Sequence, residues 1–218
     1  MGIQKYRAAV FDLDGTLLDT VQDIGAGANL ALHRSGFPGF SMEEYKRFVG
    51  HGMRNLFRQL LPEGDRNPVF EKTFQDFLSI YPAHCTERTA YYPGIRETLR
   101  ALAEKRYLLA VLSNKTESTS IQIIGHYFPE IPFAPVWGNN NTRPLKPDPE
   151  AGFALVRALG VEPAEVFYVG DGDTDMEFAA NMGFLPAAAT WGYRSREEER
   201  AAGARVFLDR PEDILNYL

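Results

Sequence analysis

The stretch that decides the fold is VFDLDGTLLD, residues 10–19. The apolar residues 8–11 that lead into it predict a strand buried on both faces, and two carboxylates, Asp12 and Asp14, follow at once. At the carboxyl end of a central strand, both acids can turn into the crevice where open α/β sheets bind ligands. Gly15 allows the sharp exit from the strand. Two acids this close repel each other, so the stretch predicts a cation or a shared proton between them; the alternative is a solvated turn.

The rest of the chain alternates helix and strand, apart from one long helical insertion. Apolar residues keep helical spacing for about seventy residues after Asp19, and from Tyr92 onward helices and strands alternate. We therefore expect an α/β protein with a Rossmann-like parallel sheet, helices on both faces and an inserted all-helical cap. The predicted domains are a core of residues 1–18 and 88–218 and a cap of residues 19–87.

Three local predictions follow from the same pattern. A buried strand over residues 107–112 ends before Ser113, so residues 113–115 begin a helix that continues over residues 116–125. The tail after residue 189 contains one or two helices. The charged run of residues 194–200 is expected to be a solvated face.

A second transition from strand to acids occurs at VGDGDTD, residues 169–175. Asp171 and Asp175 are four residues apart at a predicted helix start, so both can face one crevice. Hard carboxylate oxygens of this kind suit Mg²⁺. Acids at a helix start also act as N-caps, but capping explains one or two of them and not a third, Asp173. The cluster therefore favours a metal site.

Ser113 and Lys146 follow two other predicted strands. The Ser113 hydroxyl and nearby backbone N–H groups can hold a phosphoryl oxygen, although an ordinary N-cap uses the same residue types. Lys146 is held close to prolines in LKPDP, residues 145–149, and could offset developing negative charge. Each residue alone is a weak signal, so both predictions depend on the order of the motifs along the chain.

Taken in order, Asp12 with Asp14, Ser113, Lys146, and Asp171 with Asp175 resemble the four motifs of the haloacid dehalogenase-like hydrolases, and most of all the phosphoglycolate phosphatase-like branch. The resemblance implies Asp12 as a nucleophile that forms an aspartyl-phosphate and Asp14 as the general acid and base. It implies Mg²⁺ as the cofactor, bound by the Asp12 carboxylate, the Asp14 carbonyl and Asp171, with Asp175 holding the arrangement. An acid at position 14 favours phosphate esters over carbon–halogen bonds. Gly172 departs from the family pattern, where a small hydroxyl residue is common.

Substrate choice is assigned to the predicted cap. The loop VGHGMR, residues 49–54, resembles the specificity loop of the phosphoglycolate phosphatase-like enzymes, although an inter-helix turn is the alternative. Its glycines allow close approach, and its cationic side chains could meet a substrate carboxylate. The full set of predicted substrate-binding residues is Gly50, His51, Gly52, Arg54, Thr16 and Asn114.

Composition narrows the function classes. The 218 residues carry a net charge of −6 and no basic block, which disfavours nucleic acid or an anionic membrane as a partner. The single cysteine, Cys85, excludes an internal disulfide and indicates a reducing compartment. No apolar run is long enough for a membrane span, and no secretory leader is visible. We expect a cytoplasmic monomer or homodimer that acts on a small phosphorylated metabolite.

The leading functional prediction is Mg²⁺-dependent hydrolysis of a small phosphate monoester, with phosphoglycolate as the first candidate substrate. A phosphomutase of the β-phosphoglucomutase type shares all four motifs, and a pyrophosphatase or nucleotidase is a further alternative. A non-enzymatic phospho-acceptor resembling response-regulator receivers also uses acids, a hydroxyl and a lysine. The Asp-x-Asp spacing and the long helical insertion count against that last class.

Overall fold

The structure is a computed structural model that describes residues 5–218. The strands are β1 (Ala8–Phe11), β2 (Leu18–Asp19), β3 (Ala90–Tyr91), β4 (Leu108–Thr116), β5 (Phe133–Asn139), β6 (Val166–Gly170), β7 (Leu185–Ala189) and β8 (Val206–Leu208). The α-helices are α1 (Val21–Arg34), α2 (Met42–Phe48), α3 (Met53–Leu60), α4 (Phe70–His84), α5 (Ile95–Glu104), α6 (Glu117–Tyr127), α7 (Glu150–Leu159), α8 (Asp173–Met182) and α9 (Arg196–Ala201). Within this range, no helix has both the length and the apolar character needed to cross a membrane.

Strand β1 lies inside a six-stranded parallel sheet of order β5-β4-β1-β6-β7-β8. Val10 lies opposite Ala110 of β4 and Tyr168 of β6, and all four residues of β1 are buried. Successive side chains point to opposite faces of the sheet. Phe11 packs in one apolar cluster with α5 and α6, and Val10 packs in another with α7 and α8. This arrangement confirms the predicted α/β fold with helices on both faces.

Helices α1 to α4 are inserted between β2 and β3, which pair with each other antiparallel. Phe77 of α4 packs against Gly27 of α1, and its ring is stacked on Tyr81 at 5.2 Å between centroids. Phe57 of α3 joins the same buried aromatic group. The apolar stripes of this segment therefore form a core, as their spacing predicts.

Helix α2 is an element that the sequence analysis missed. Its first turn has a capping box: the Glu44 N–H donates to Ser41 Oγ at 3.4 Å, and the Ser41 N–H donates to the Glu44 carboxylate at 2.8 Å. This reciprocal bonding satisfies two backbone donors that a helix start leaves free. The Ser-x-x-Glu spacing was the available signal.

Strand β4 is longer than predicted. It continues through Ser113, Asn114 and Lys115 to Thr116, and α6 begins only at Glu117. The prediction that residues 113–115 begin a helix is therefore wrong. The physical reason is β5, which offers pairing partners to the end of β4 and lies opposite Thr116 at Asn139.

The tail adds structure that the sequence analysis did not predict. Strand β8 pairs in parallel with β7 and extends the sheet, while α9 and a 3₁₀ turn over Pro211–Asn216 account for the predicted helices. The charged run of residues 194–200 is not uniformly solvated, because Glu199 of α9 has no exposed surface.

Glu199 supplies a pH-dependent prediction of stability. Burial raises its pKa to about 8, and neither carboxylate oxygen has a hydrogen-bond partner among residues 5–218. A folded-state pKa above the unfolded value gives stability that is present at low pH and is lost as pH rises through about 8. Glu199→Gln is therefore expected to raise the melting temperature at pH 8.5 by roughly 5–10 °C and to leave it nearly unchanged at pH 4.5. The exposed neighbour Glu197→Gln is the control, and an equal shift at both pH values would contradict this account.

Candidate active site

The carboxyl ends of β1, β4 and β6 meet at one edge of the sheet, and each carries a predicted site residue. Asp12 directly follows β1, Ser113 lies in β4, and Asp171 directly follows β6. The Asp12 N–H donates to the Val169 carbonyl at 2.9 Å, which ties the exit of β1 to β6. Because β1 lies between the other two strands, Asp12 lies between the residues that they contribute.

The chain leaves β1 through a turn that only glycine allows. Gly15 has a φ of 84°, and a Cβ there would lie 2.1 Å from Oδ2 of Asp171. The next residue, Thr16, donates its hydroxyl to Oδ1 of Asp171 at 2.9 Å. The hydroxyl of Thr16 thus orients Asp171, and the substrate-binding role of Thr16 stays a prediction.

Lys146 is the central cation of the site. Its buried Nζ donates to Oδ1 of Asp12 at 2.9 Å and to Oδ1 of Asp175 at 2.7 Å. Nζ also lies 2.9 Å from the Leu112 carbonyl oxygen and 2.9 Å from the Tyr168 hydroxyl. Burial alone would lower the pKa of Lys146, but the carboxylates of Asp12 and Asp175 raise it well above its usual value. Lys146 is therefore a fixed positive charge beside Asp12.

Asn114 holds the backbone that carries this lysine. Its Oδ1 accepts a hydrogen bond from the Lys146 N–H at 2.8 Å, and its Nδ2 donates to the Lys146 carbonyl at 3.0 Å and to the Gly50 carbonyl at 2.9 Å. Both donors of the amide are engaged in protein contacts, and the substrate-binding role of Asn114 stays a prediction. Asn114 links β4, the Lys146 loop and the inserted helical segment.

Asp171 and Asp175 occupy the crevice as their spacing predicts. Asp171 accepts hydrogen bonds from the Thr16 hydroxyl and from the Tyr193 N–H, the latter at 2.8 Å. Asp175 accepts from Lys146 and, at 3.1 Å, from the Gly172 N–H, so it also caps the start of α8. Asp175 therefore both caps α8 and pairs with Lys146.

The acids of the crevice are held in an unfavourable environment. Burial raises the pKa of Asp171 well above its usual value, and the carboxylates of Asp175 and Asp12 raise it further. Burial likewise raises the pKa of Asp12, and Lys146 offsets this only in part. A cation in the crevice would relieve both groups.

The donor set fits a divalent metal. The site buries four carboxylates and two ammonium groups, namely Asp12, Asp14, Asp171, Asp175, Lys115 and Lys146. With all of them ionised, four carboxylates against two ammonium groups leave a formal charge of −2. Oxygens of Asp12, Asp171 and Asp175 lie within 4.8 Å of one another. Carboxylate oxygens this close could hold a hard divalent cation.

The Ser113 hydroxyl accepts a hydrogen bond from the Lys115 N–H at 3.3 Å, and its side chain lines a small cavity together with Asp12 and Asp14. This cavity adjoins the loop of residues 50–52. Ser113 thus lies beside Asp12, as predicted, although a strand and not a helix start places it there.

The segment Trp191-Gly192-Tyr193 was missed by the sequence analysis. The Trp191 Nε1 donates to the Thr16 carbonyl at 3.0 Å, and the Tyr193 N–H donates to Asp171. The Tyr193 hydroxyl accepts from the Thr20 N–H at 2.9 Å, at the start of α1. A Trp-Gly-Tyr segment that follows a strand of the parallel sheet was the only signal, and aromatic residues are not specific for a site.

The predicted specificity loop docks on the core. Gly52 has a φ of 85°, in the left-handed region that favours glycine, and a Cβ there would lie 2.8 Å from Leu145 Cδ1. The Arg194 guanidinium donates to the carbonyl groups of Lys46, Arg47 and Val49, at 3.2 Å for Arg47 and 2.8 Å for Val49. Arg194 therefore binds the carboxyl end of α2, where helix carbonyls lack partners.

His51 of the same loop faces Asp173 of α8, with Nε2 and Oδ2 3.4 Å apart. The hydrogen bond to Asp173 raises the pKa of His51, and the same bond lowers the pKa of Asp173 to about 2. The third acid of the VGDGDTD stretch thus faces the loop of residues 49–54 and lies outside the carboxylate cluster.

Arg54 does not line the small cavity of Asp12 and Asp14; it lines a larger cavity of about 590 Å³. Its guanidinium donates to Glu71 at 2.9 Å and lies 4.9 Å from the Phe70 ring centroid. The cavity separates α3 and α4 from the segment after β5, and it is lined by amides, arginines and apolar side chains. Its polar lining includes Asn55, Arg58, Gln75, Asn139, Asn141 and Arg143.

The chain matches a known protein family over most of its length. The model of the haloacid dehalogenase-like hydrolases matches residues 9–189, and the chain belongs to this family of hydrolases. The match covers the ends of β1, β4 and β6, which carry the acidic crevice.

The alignments with individual relatives cover nearly the whole chain. A phosphoglycolate phosphatase from Cereibacter sphaeroides is 35% identical over 217 residues, which cover 96% of this chain and 97% of the relative. An N-acetylmuramic acid 6-phosphate phosphatase from Pseudomonas aeruginosa is 30% identical over 216 residues, which cover 98% of this chain and 95% of the relative. The crystal structure of a predicted phosphoglycolate phosphatase from Haemophilus somnus superposes with a TM-score of 0.91, at 25% identity and with 99% of each chain covered.

Proposed function

We propose that this protein is a phosphatase that hydrolyses a small phosphate monoester through an aspartyl-phosphate on Asp12. The observation that carries the proposal is the Asp12 carboxylate at the end of β1, with the Lys146 ammonium 2.9 Å from one of its oxygens. A carboxylate can attack phosphorus and divide one difficult displacement into two easier ones. Asp14 protonates the leaving oxygen and later takes a proton from the attacking water.

Three further groups assist this attack in the proposed mechanism. Lys146 offsets negative charge on Asp12 and on the transferred phosphoryl group. Ser113 donates its hydroxyl to a phosphoryl oxygen in the small cavity that it shares with Asp12. Asp175 keeps Lys146 in place through its hydrogen bond of 2.7 Å.

The cofactor in this proposal is Mg²⁺, held by the Asp12 and Asp171 carboxylates and the Asp14 carbonyl. The excess negative charge of the crevice and its hard oxygen donors support this choice. When bound, the ion offsets charge on the phosphoryl oxygens.

The proposed domain division assigns substrate choice to residues 19–87, as a cap, and chemistry to residues 1–18 and 88–218, as the core. The contacts of Asn114, His51 and Arg194 between the two parts support a cap that covers the site. The single cysteine supports a reducing, cytoplasmic setting. The proposal further includes a monomer or homodimer that acts on a small phosphorylated metabolite.

Phosphoglycolate is the leading substrate, because relatives with that named activity match along the chain at about 31–35% identity. The large cavity favours a second candidate. Its volume of about 590 Å³ exceeds the need of a two-carbon acid, and its amides and apolar side chains suit a sugar ring. A carboxylated amino-sugar phosphate combines a sugar ring with a carboxylate. It is the type of substrate in the name of the Pseudomonas aeruginosa relative.

A substrate panel with Mg²⁺ tests the proposal, and Arg54→Ala tests the cap. We expect kcat/KM for the preferred carboxylated ester to fall about 10- to 100-fold in Arg54→Ala, because a charge-assisted contact contributes about 1.5–3 kcal/mol. Hydrolysis of p-nitrophenyl phosphate should be nearly unchanged in this variant. Phosphoglycolate and N-acetylmuramic acid 6-phosphate are compared directly.

Arg66→Ala is the matched control, since Arg66 is an exposed arginine of the same helical segment that lies outside the cavity. Equal losses on the carboxylated ester and on p-nitrophenyl phosphate would contradict a specificity role for Arg54. Failure of the unaltered protein to hydrolyse any phosphate monoester in the panel would overturn the proposed function.

A further inference from the structure

Lys115 is a buried lysine to which the proposed mechanism gives no task. Its side chain has no exposed surface, and Nζ donates to both oxygens of Asp14, at 2.8 Å to Oδ1 and 3.1 Å to Oδ2. The Thr20 hydroxyl donates to the same Oδ1 at 2.6 Å. The position and rotation of the Asp14 carboxylate are therefore set by two donors from different elements.

The ammonium lies where three parts of the chain meet. Lys115 belongs to β4, Thr20 precedes α1, and Tyr81 of α4 places its ring centroid 4.7 Å from the Lys115 Nζ. The Tyr81 hydroxyl is buried without a hydrogen-bond partner among the described residues. The helical segment thus packs against the Lys115 side chain, while Asp14 also lines the small cavity of the site.

A buried charge needs a specific partner, because its removal from water is costly. The two lysines of the crevice bond to different acids: Lys146 bonds to Asp12 and Asp175, and Lys115 bonds to Asp14. Asp14 is therefore oriented independently of Asp12, although only one residue separates them. Independent control of the two carboxylates is what a nucleophile and a proton-transfer group require, since they act on different atoms.

We propose that Lys115 is a positioning residue for proton transfer. It holds the Asp14 carboxyl group in the orientation from which this group gives a proton to the leaving oxygen and later takes one from water. Lys115 acts only through Asp14. This inference rests on the proposed function, in which Asp14 is the general acid and base.

A double-mutant cycle tests the inference, with Lys115→Met, Asp14→Asn and the double variant assayed in the full-length protein with Mg²⁺. Lys115→Met is expected to lower kcat about 100-fold, because a small misplacement of a reacting group has an effect of that size. KM should change less than about threefold, since the lysine bonds to Asp14 and not to substrate. In the Asp14→Asn background the same substitution should change kcat less than about threefold, because the group that it positions is gone.

The leaving group provides a second readout. The loss in Lys115→Met should be larger for an alkyl phosphate than for p-nitrophenyl phosphate, whose leaving group needs little protonation. A purely structural role would lower both rates alike. Thermal melting checks each variant, and Lys115→Gln, which keeps a neutral donor, takes the place of Lys115→Met if that variant melts below the assay temperature.

The outcomes separate the inference from the function on which it rests. Equal losses of kcat from Lys115→Met in both backgrounds, or no loss in either, would overturn the positioning role alone. An Asp14→Asn variant with unaltered kcat on alkyl phosphates would instead overturn the proposed role of Asp14 and the inference with it.

Discussion

Asp12→Asn is expected to reduce hydrolysis of p-nitrophenyl phosphate by roughly three orders of magnitude or more. The amide has the shape of the carboxylate but lacks the charged oxygen that attacks phosphorus, so no covalent intermediate forms. The initial rate with saturating Mg²⁺ is the measurement. Circular dichroism and thermal melting verify that the variant is folded.

Asp209→Asn is the matched control, because Asp209 is an exposed acid at the end of β8, away from the crevice. Its rate should equal that of the unaltered protein. If Asp12→Asn kept a tenth of the activity, Asp12 would not be the nucleophile, and the proposed mechanism would be wrong.

Saturating Mg²⁺ is expected to raise the melting temperature by roughly 5–10 °C, and chelation should reverse the effect. The ion binds the folded protein by mass action, which amounts to about 2.7 kcal/mol at a hundred times the dissociation constant. The excess negative charge among the buried acids gives the physical reason. Asp171→Asn should lose most of this shift and nearly all activity.

Asp173→Asn is the control for the metal site. Asp173 lies two residues from Asp171 but faces His51, so its removal should leave most of the Mg²⁺ shift. Identical melting curves of the unaltered protein with and without saturating Mg²⁺ would show that the crevice binds no stabilising ion.

The acidic strand ends could be predicted from the sequence because the signal is local. In both VFDLDGT and VGDGDTD, a buried strand stops at paired acids within a few residues, and strand ends in a parallel sheet share one edge. The structure accordingly brings Asp12, Asp171 and Asp175 together. Apolar spacing predicts the helical insertion because it too is a local signal.

The tasks of single polar side chains could not be predicted, because they depend on partners that are distant in sequence. Asn114 bonds to Gly50 and to Lys146, and Lys115 bonds to Asp14, which lies 101 positions earlier. Local pattern suggested instead a helix start for these residues of β4. The pairing of β4 with β5 makes these residues part of a strand, and this pairing is a tertiary effect.

The environments of single residues in the charged tail could not be predicted either. Nothing in the run of residues 194–200 distinguishes Arg194, which binds the end of α2, or Glu199, which is buried, from their solvated neighbours. Charge patterning predicts an average environment for such a run. Individual exceptions arise only when the folded surface brings a second element against it.

Chemical trapping of the intermediate tests the central claim most directly. The protein is mixed with substrate and Mg²⁺, quenched in acid during turnover and reduced with borohydride, which converts an aspartyl-phosphate into homoserine. Peptide mass spectrometry then locates the altered residue. The proposed mechanism predicts homoserine at position 12 in a sample that turned over substrate and none in a sample without substrate. An unmodified Asp12 during active turnover, or modification of a different aspartate, would contradict it.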